Sequence, residues 1–309
     1  MSEIDGISKQ RMLWQMEQER LKNRLVLCDD FAPRINCDRS GSQACLRFIG
    51  GVDVSFDKKD SELACGALVV IDMDTMNVVY EDFKIVHLTL PYIPGFLAFR
   101  ESPVLLELIQ KLMKEHPEVA PDVIMVDGNG ILHPRGFGLA SHIGVLANIP
   151  TIGVAKNLYH VDGLSRSHIN TNLKTDEVND DTTNHVDCVS KECLNTNLIT
   201  KTVGDNYDCS DDATHHIDGV SKEQLNTNKK REEMTCDVMP LTGDSGQVLG
   251  MALRSHKGCT KPIFISIGHR ISLGTAVSLV QKCGKYRIPE PIRQADIRSR
   301  ERMRLNFSK

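Results

Sequence analysis

No run of apolar residues in this chain approaches the ~18 that a membrane-spanning helix needs. None of its ten cysteines stands in a CxxC pair. The first absence gives no reason to expect a membrane partner. The N-terminus, MSEIDGISKQRMLWQMEQERLKNRL, mixes acidic and basic residues and lacks the charged-then-apolar layout of a secretory leader. Cytoplasm or nucleus, nucleolus included, is therefore the expected compartment, with the thiols reduced and mostly buried or incidental. HVDCVSKEC (185–193) sets His185, Cys188 and Cys193 at loosely zinc-like spacing, but within repetitive filler. Also missing are GxxxxGK[ST] and a full GxGxxG, the common nucleotide-binding loops. What remains is a globular composition, 40% hydrophobic and 25% charged over 309 residues, enough for one large domain or two small ones.

Three stretches resemble one another: HVDGLSRSHINTNL (160–173), HVDCVSKECLNTNL (185–198) and HIDGVSKEQLNTNK (216–229). Evenly spaced copies would suggest a solenoid. Here the offsets are unequal, and residues 166–236 hold one aromatic, Tyr207, among many Asn, Thr, Asp and Ser. So little apolar surface does not offset an ordering cost of roughly 1–2 kcal/mol per residue. The segment is expected to be a mostly disordered surface insertion, grown by tandem duplication within a single domain spanning 1–309.

The insertion also distorts the charge balance. It carries 8 Lys/Arg against 14 Asp/Glu, so a chain of net −4 leaves +2 on the remainder. Residues 285–309 hold 8 Lys/Arg against 3 Asp/Glu and read as a basic C-terminal tail. A mildly basic body with a basic tail suits a polyanionic partner, although a solvated C-terminal helix has the same charge.

Apolar patterning predicts a helix over 8–27 and strands at 46–56, 62–72 and 76–88, the first with a bulge or bend at Gly50–Gly51. Ser102–Pro103 predicts a helix start, with Glu101 just before it. DVIMVD (122–127) reads as a buried strand, 138–148 as a helix and TIGVA (151–155) as a strand. Strands follow at 247–255 and 262–268, then a helix capped by Ser272. The fold class is α/β, a mixed sheet with an antiparallel meander and then parallel strands, flanked by helices.

The chemistry collects at strand ends. Asp53 lies in the first strand between Val52 and Val54, and Asp127 ends the fourth. If those strands are neighbours, the two carboxylates meet and need a cation or a shared proton. Oxygen ligands select Mg2+ or Mn2+. Lys156 follows the fifth strand, His269 and Arg270 the last. A cation near a scissile phosphate stabilises charge developing in the transition state. The glycines of DGNGILHPRGFG (127–138) either cradle phosphate or let backbone approach a base edge. His133 and His142 as a zinc pair have no further ligand set.

GGVDVSF, PYIPGFLAFRE, VDGNGILHPRGFGLASHIGV, TIGVAKNLY, DSGQVLGMALRS and SIGHRISLGTAV, in this order, resemble the endonuclease V family. RIPEPIRQADIRSRE resembles its eukaryotic branch. The resemblance implies a ribonuclease-H-like fold and a nuclease that cuts one nucleotide 3′ of inosine in RNA or DNA, leaving 3′-hydroxyl and 5′-phosphate ends. It implies Asp53, Asp127 and Glu101 as ligands of Mg2+ or Mn2+, His269 near the metal, and Lys156 facing the reacting phosphate. Pro91, Tyr92, Ile93 and Pro94 match the family's wedge, while Leu97, Gly128 and His133 fall where it forms a hypoxanthine pocket. The base edge would be read by backbone groups near Gly128. The implied partner is a single strand of RNA or DNA containing inosine; the sequence itself gives no sign of a stable oligomer, and a monomer is expected. The alternatives are a non-catalytic inosine-binding module and a ribonuclease-H-like enzyme that needs no lesion.

Overall fold

A computed structural model describes residues 3–31, 46–91, 93–165, 237–255, 259 and 261–307. Tyr92, the 166–236 insertion and the His185–Cys193 spacing lie outside them. In chain order the elements are α1 (Glu3–Lys22), β1 (Phe48–Phe56), β2 (Leu63–Asp72), β3 (Val78–His87), α2 (Leu97–Glu115), β4 (Val123–Asp127), α3 (Leu139–Ala147) and β5 (Thr151–Ala155). They continue with β6 (Asp237–Thr242), β7 (Val248–Arg254), β8 (Ile263–His269), α4 (Leu273–Lys282) and α5 (Glu290–Phe307).

One eight-stranded sheet runs β3-β2-β1-β4-β5-β8-β7-β6. The first three strands form the expected antiparallel meander, and β1, β4 and β5 are parallel neighbours. Beyond β5 the pairing is antiparallel out to β6, a strand the sequence reading missed because it directly follows the insertion. Alternation along β1 sorts its side chains. Val52 and Val54 join Leu105, Ile109 and Val126 beneath α2 and α3. Gly51 and Ser55 face α5 instead, through Pro291 and Ser299. Ile49, Met125 and Ile265 build the second core with α4 and α5.

Three local expectations are corrected. Gly50 and Gly51 make no bulge: β1 pairs with β2 in unbroken register from Phe48↔Asp72 to Phe56↔Ala64. Gly51 is needed for close approach, since a Cβ there would lie 2.2 Å from the Pro291 carbonyl carbon. Helix α2 starts at Leu97, enclosing Glu101, Ser102 and Pro103. Pro103 forgoes only one helical hydrogen bond, while Trp14 stacks on Phe99 at 5.2 Å and anchors the first turn. The basic 285–309 stretch is mostly α5, a core helix whose Ile292, Ala295, Ser299 and Met303 are buried. Its buried stripe at i, i+3, i+7 and i+11, apolar but for Ser299, is helical spacing that the charge reading passed over. Ser272 does cap α4, accepting a hydrogen bond from the Thr275 N–H.

Candidate active site

Parallel pairing puts the key carboxylates side by side. The β1–β4 register reaches Val52↔Val126, so Asp53 and Asp127 are the next pair at the C-terminal ends of adjacent strands. Both belong to the face covered by α5. Asp53 is 7% exposed. Burial, then the Asp127 charge and a hydrogen bond with it, hold its pKa well above the usual carboxylate range. Ser55 donates to Asp53 Oδ2 at 3.2 Å, and its hydroxyl meets that of Ser299 at 2.7 Å. On the other side Lys156, just past β5, donates from Nζ to Asp127 Oδ2 at 2.5 Å. Burial works against that ammonium, but the Asp127 carboxylate outweighs it and the Lys156 pKa is raised.

Glu101 reaches the centre from α2, on the opposite side of the sheet. Burial first, and Asp127 second, push its pKa to about 8. A fourth carboxylate escaped the sequence reading. Asp296 on α5 lines the same cleft, of about 960 Å³, with Asp53, Asp127, Lys156, Lys58 and Arg300, and its charge acts on both Asp53 and Lys156. The signal for it was the α5 stripe, which turns Asp296 toward the sheet along with Ile292 and Ser299.

His269 does not join this group. β8 is antiparallel to β5, with Thr151↔His269, whereas Asp127 pairs with Val154. Three residues of strand, about 10 Å, separate the two positions. His269 is instead buried where its Nδ1 accepts from the Val26 N–H, and burial lowers its pKa to about 4. Arg270 is likewise remote, paired with Asp30 and donating to the Asn148 carbonyl.

The two loops read as substrate-binding come together beside α1. Pro91 and Pro94 are exposed, Ile93 is half-buried, and Leu97 opens α2. Arg135, from the loop after β4, lies over the Phe96 ring at 5.4 Å. His133 is buried, its ring meeting Tyr159 edge-on at 6.0 Å. Burial, then Arg135, lowers its pKa to about 4, so it is neutral at pH 7. Gly128 donates its N–H to the Val154 carbonyl, so that donor is already committed and is not free for a base edge. Gly130 is packed against β8, where a Cβ would lie 1.9 Å from the Ile267 carbonyl oxygen. That glycine serves sheet packing, not a phosphate cradle. His142 sits apart from His133, among the rings of Phe99 and Phe137.

Among the described residues, no three His, Cys, Asp or Glu side chains are gathered closely enough to form a ready-made metal cage. The donor chemistry nonetheless fits a hard divalent cation that keeps part of its water shell. The donors are all oxygen, two carboxylates face each other, and a third lines the same cleft. Cation binding would favour the ionised form of Asp53 that burial and Asp127 disfavour.

A sequence profile described as Endonuclease V matches residues 29–217 and 213–297. Endonuclease V of Mus musculus is 44% identical over 292 residues, covering 94% of this chain and 69% of that protein. The chain belongs to the endonuclease V family. It is accordingly a nuclease, and its fold agrees with solved members. The catalytic domain of human Endonuclease V matches at a TM-score of 0.72 and 42% identity, over 97% of this chain and 98% of that one. The Ciona intestinalis Endonuclease V, crystallised with a DNA 24mer containing an inosine followed by a ribo-adenosine, matches at 0.70 and 29% identity, over 96% and 99%. For an endonuclease V family member, a carboxylate cleft with a lysine at one wall is a natural place for phosphodiester chemistry.

Proposed function

We propose that this chain is a metal-dependent endonuclease that hydrolyses the phosphodiester one nucleotide 3′ of inosine in RNA or DNA, leaving 3′-hydroxyl and 5′-phosphate ends. The observation that carries this reading is the in-register meeting of Asp53 and Asp127, with Lys156 on Asp127, in one cleft. The Ciona intestinalis relative bound to inosine-containing DNA supports the substrate class. Asp53 and Asp127 would hold Mg2+ or Mn2+, with Glu101 and Asp296 within reach of its water shell. Such an ion, when bound, polarises phosphoryl oxygen and supplies an activated water.

The chain's own groups do the rest. Lys156 faces the negative charge that grows on the phosphoryl oxygens, and its raised pKa keeps it charged. Lys58 and Arg300, along the same cleft, hold flanking phosphates. The Pro91–Pro94 segment acts as the wedge that fills the gap when the base leaves its stack, a step costing a few kcal/mol and easiest in single strands. Leu97, Gly128 and neutral His133 border the base.

The test is cleavage of inosine placed in single-stranded RNA, single-stranded DNA and duplex DNA, side by side with Mg2+. Cutting one nucleotide 3′ of inosine, lost in Asp53→Ala and Asp127→Ala, is the expected result. Activity surviving both substitutions would sink the metal assignment, and equal cutting of adenosine strands would sink inosine selectivity.

A further inference from the structure

Helix α1 lies before the stretch matched by the family profile, which begins at residue 29, and it is seated on both loops read above as binding substrate. Trp14, Gln18 and Leu21, at i, i+4 and i+7, form its inner face. Trp14 stacks on Phe99 and contacts Phe96 at 6.1 Å. Leu21 is buried with Phe137 and Val145. Between these apolar anchors stands one amide. Gln18 is 2% exposed. Its Nε2 donates to the Phe137 carbonyl at 2.8 Å and the Gly95 carbonyl at 3.2 Å, and its Oε1 accepts from Arg135 Nε at 2.5 Å.

Packing alone would favour a third apolar residue here, because a buried amide is costly unless every polar atom is partnered. The partners of Gln18 are all in the two loops. Gly95 closes the proline segment, and Arg135 and Phe137 belong to the loop that carries Gly128 and His133. Arg135 then returns to the first loop through the Phe96 ring. Apolar contacts resist separation but tolerate sliding, whereas three directed hydrogen bonds set distance and register.

We infer that Gln18 is a positioning residue: α1 braces the wedge loop against the base-pocket loop, so that displacement of a base and recognition of that base occur at a set spacing. The inference rests on the inosine reading above.

Its test uses the full chain with Mg2+ and two strands differing only in inosine or adenosine at one position. Steady-state kinetics are measured for the wild type, Gln18→Glu and Gln18→Met, each with its melting temperature. Gln18→Glu keeps the acceptor for Arg135 and loses both donors to the loops. Gln18→Met keeps length and packing and loses all three bonds. In both, the inosine-over-adenosine ratio of kcat/KM is expected to fall about tenfold, roughly the effect of one or two lost hydrogen bonds. The fall should lie in KM for the inosine strand, with its kcat held within about twofold. A ratio unchanged in both variants, even with both substrates slowed and melting lowered, overturns the brace and leaves only packing. If Gln18→Met does not fold, Gln18→Glu decides alone. A wild type that cuts inosine and adenosine strands equally removes the inosine reading and the brace together. Selectivity in the wild type that persists in the variants removes the brace alone.

Discussion

At the scale of single residues, the centre is a problem of like charges. Asp53 and Asp127 meet because their strands are parallel neighbours; Lys156 pairs directly with Asp127, and its charge only partly offsets the burial and repulsion felt by Asp53. Lys156→Gln would leave the carboxylates without their nearest cation and the reacting phosphate without a fixed positive charge. Cleavage should drop roughly 10²- to 10³-fold with folding retained; a loss under threefold in single-turnover assays would remove the lysine from the chemistry. His142 gives a pH prediction. Burial among Phe99 and Phe137 lowers its pKa to about 4 from an ordinary 6.5, and its buried Nδ1 has no hydrogen-bond partner among the described residues. The folded state therefore binds this proton less readily than the unfolded chain. Stability from this source is present above pH 6.5 and is lost as pH falls through about 4. His142→Phe should lessen the loss over that window by on the order of 3 kcal/mol. Urea unfolding from pH 7 to pH 4 measures it, and parallel curves for the two proteins would refute it.

At the scale of elements, close approach governs. Helix α5 can carry Asp296 to the cleft only because its first turn rests on bare backbone at Gly51. A methyl there would press on Pro291 and Ile292 main-chain atoms, which cannot yield as a side-chain tip does. Gly51→Ala should cost about 2 kcal/mol or more and depress cleavage, because the displaced helix takes Asp296 with it. Unfolding and cleavage assays on the same preparation check both, and a neutral result in each would mean that α5 is not held by this contact. Helix α2 shows the same priority of packing over local signal. Ser102–Pro103 has the chemistry of a start, yet the turn from Ile93 to Phe96 and the stacked Trp14 begin the helix earlier. Tertiary contacts outweigh one missing amide donor.

At the scale of the whole molecule, charge is divided along the chain. The acidic excess belongs to residues 166–236, while Lys58, Lys59, Lys156, Arg300 and Arg304 line one cleft. If about four of these meet phosphates, log K for a single strand should fall with log salt at a slope of about −3. Fluorescence anisotropy from 50 to 200 mM salt tests this, and a flat dependence would argue against the cleft as the nucleic-acid path. Replacing residues 166–236 by a short Gly/Ser linker should leave a folded, cleaving protein, since β5 and β6 are held by β8 and β7. Loss of the melting transition or of cleavage in that variant would show that the repeats contribute directly.

What the sequence determined by itself is the part written in local patterns. Alternation and apolar runs located seven of the eight strands among the described residues; β6 was hidden by the insertion before it. The ordered motifs led to the family, and the pairing of Asp53 with Asp127 followed from the expected neighbouring of their strands. What only the tertiary structure decided is the part that depends on which backbone lies against which. Strand direction put His269 three residues of strand away from the level of the carboxylates and two strands over from Asp127, although its place after a strand resembled that of Lys156. Helix packing turned a basic tail into the wall that delivers Asp296, and gave Gly51 a partner instead of a bulge. Gln18 looked like one more polar residue on a charged helix until Gly95, Arg135 and Phe137 closed around it, 77 to 119 residues away in the chain. Periodicity reports which face of an element is apolar, but a single buried polar group acquires meaning only from the partners that folding brings to it.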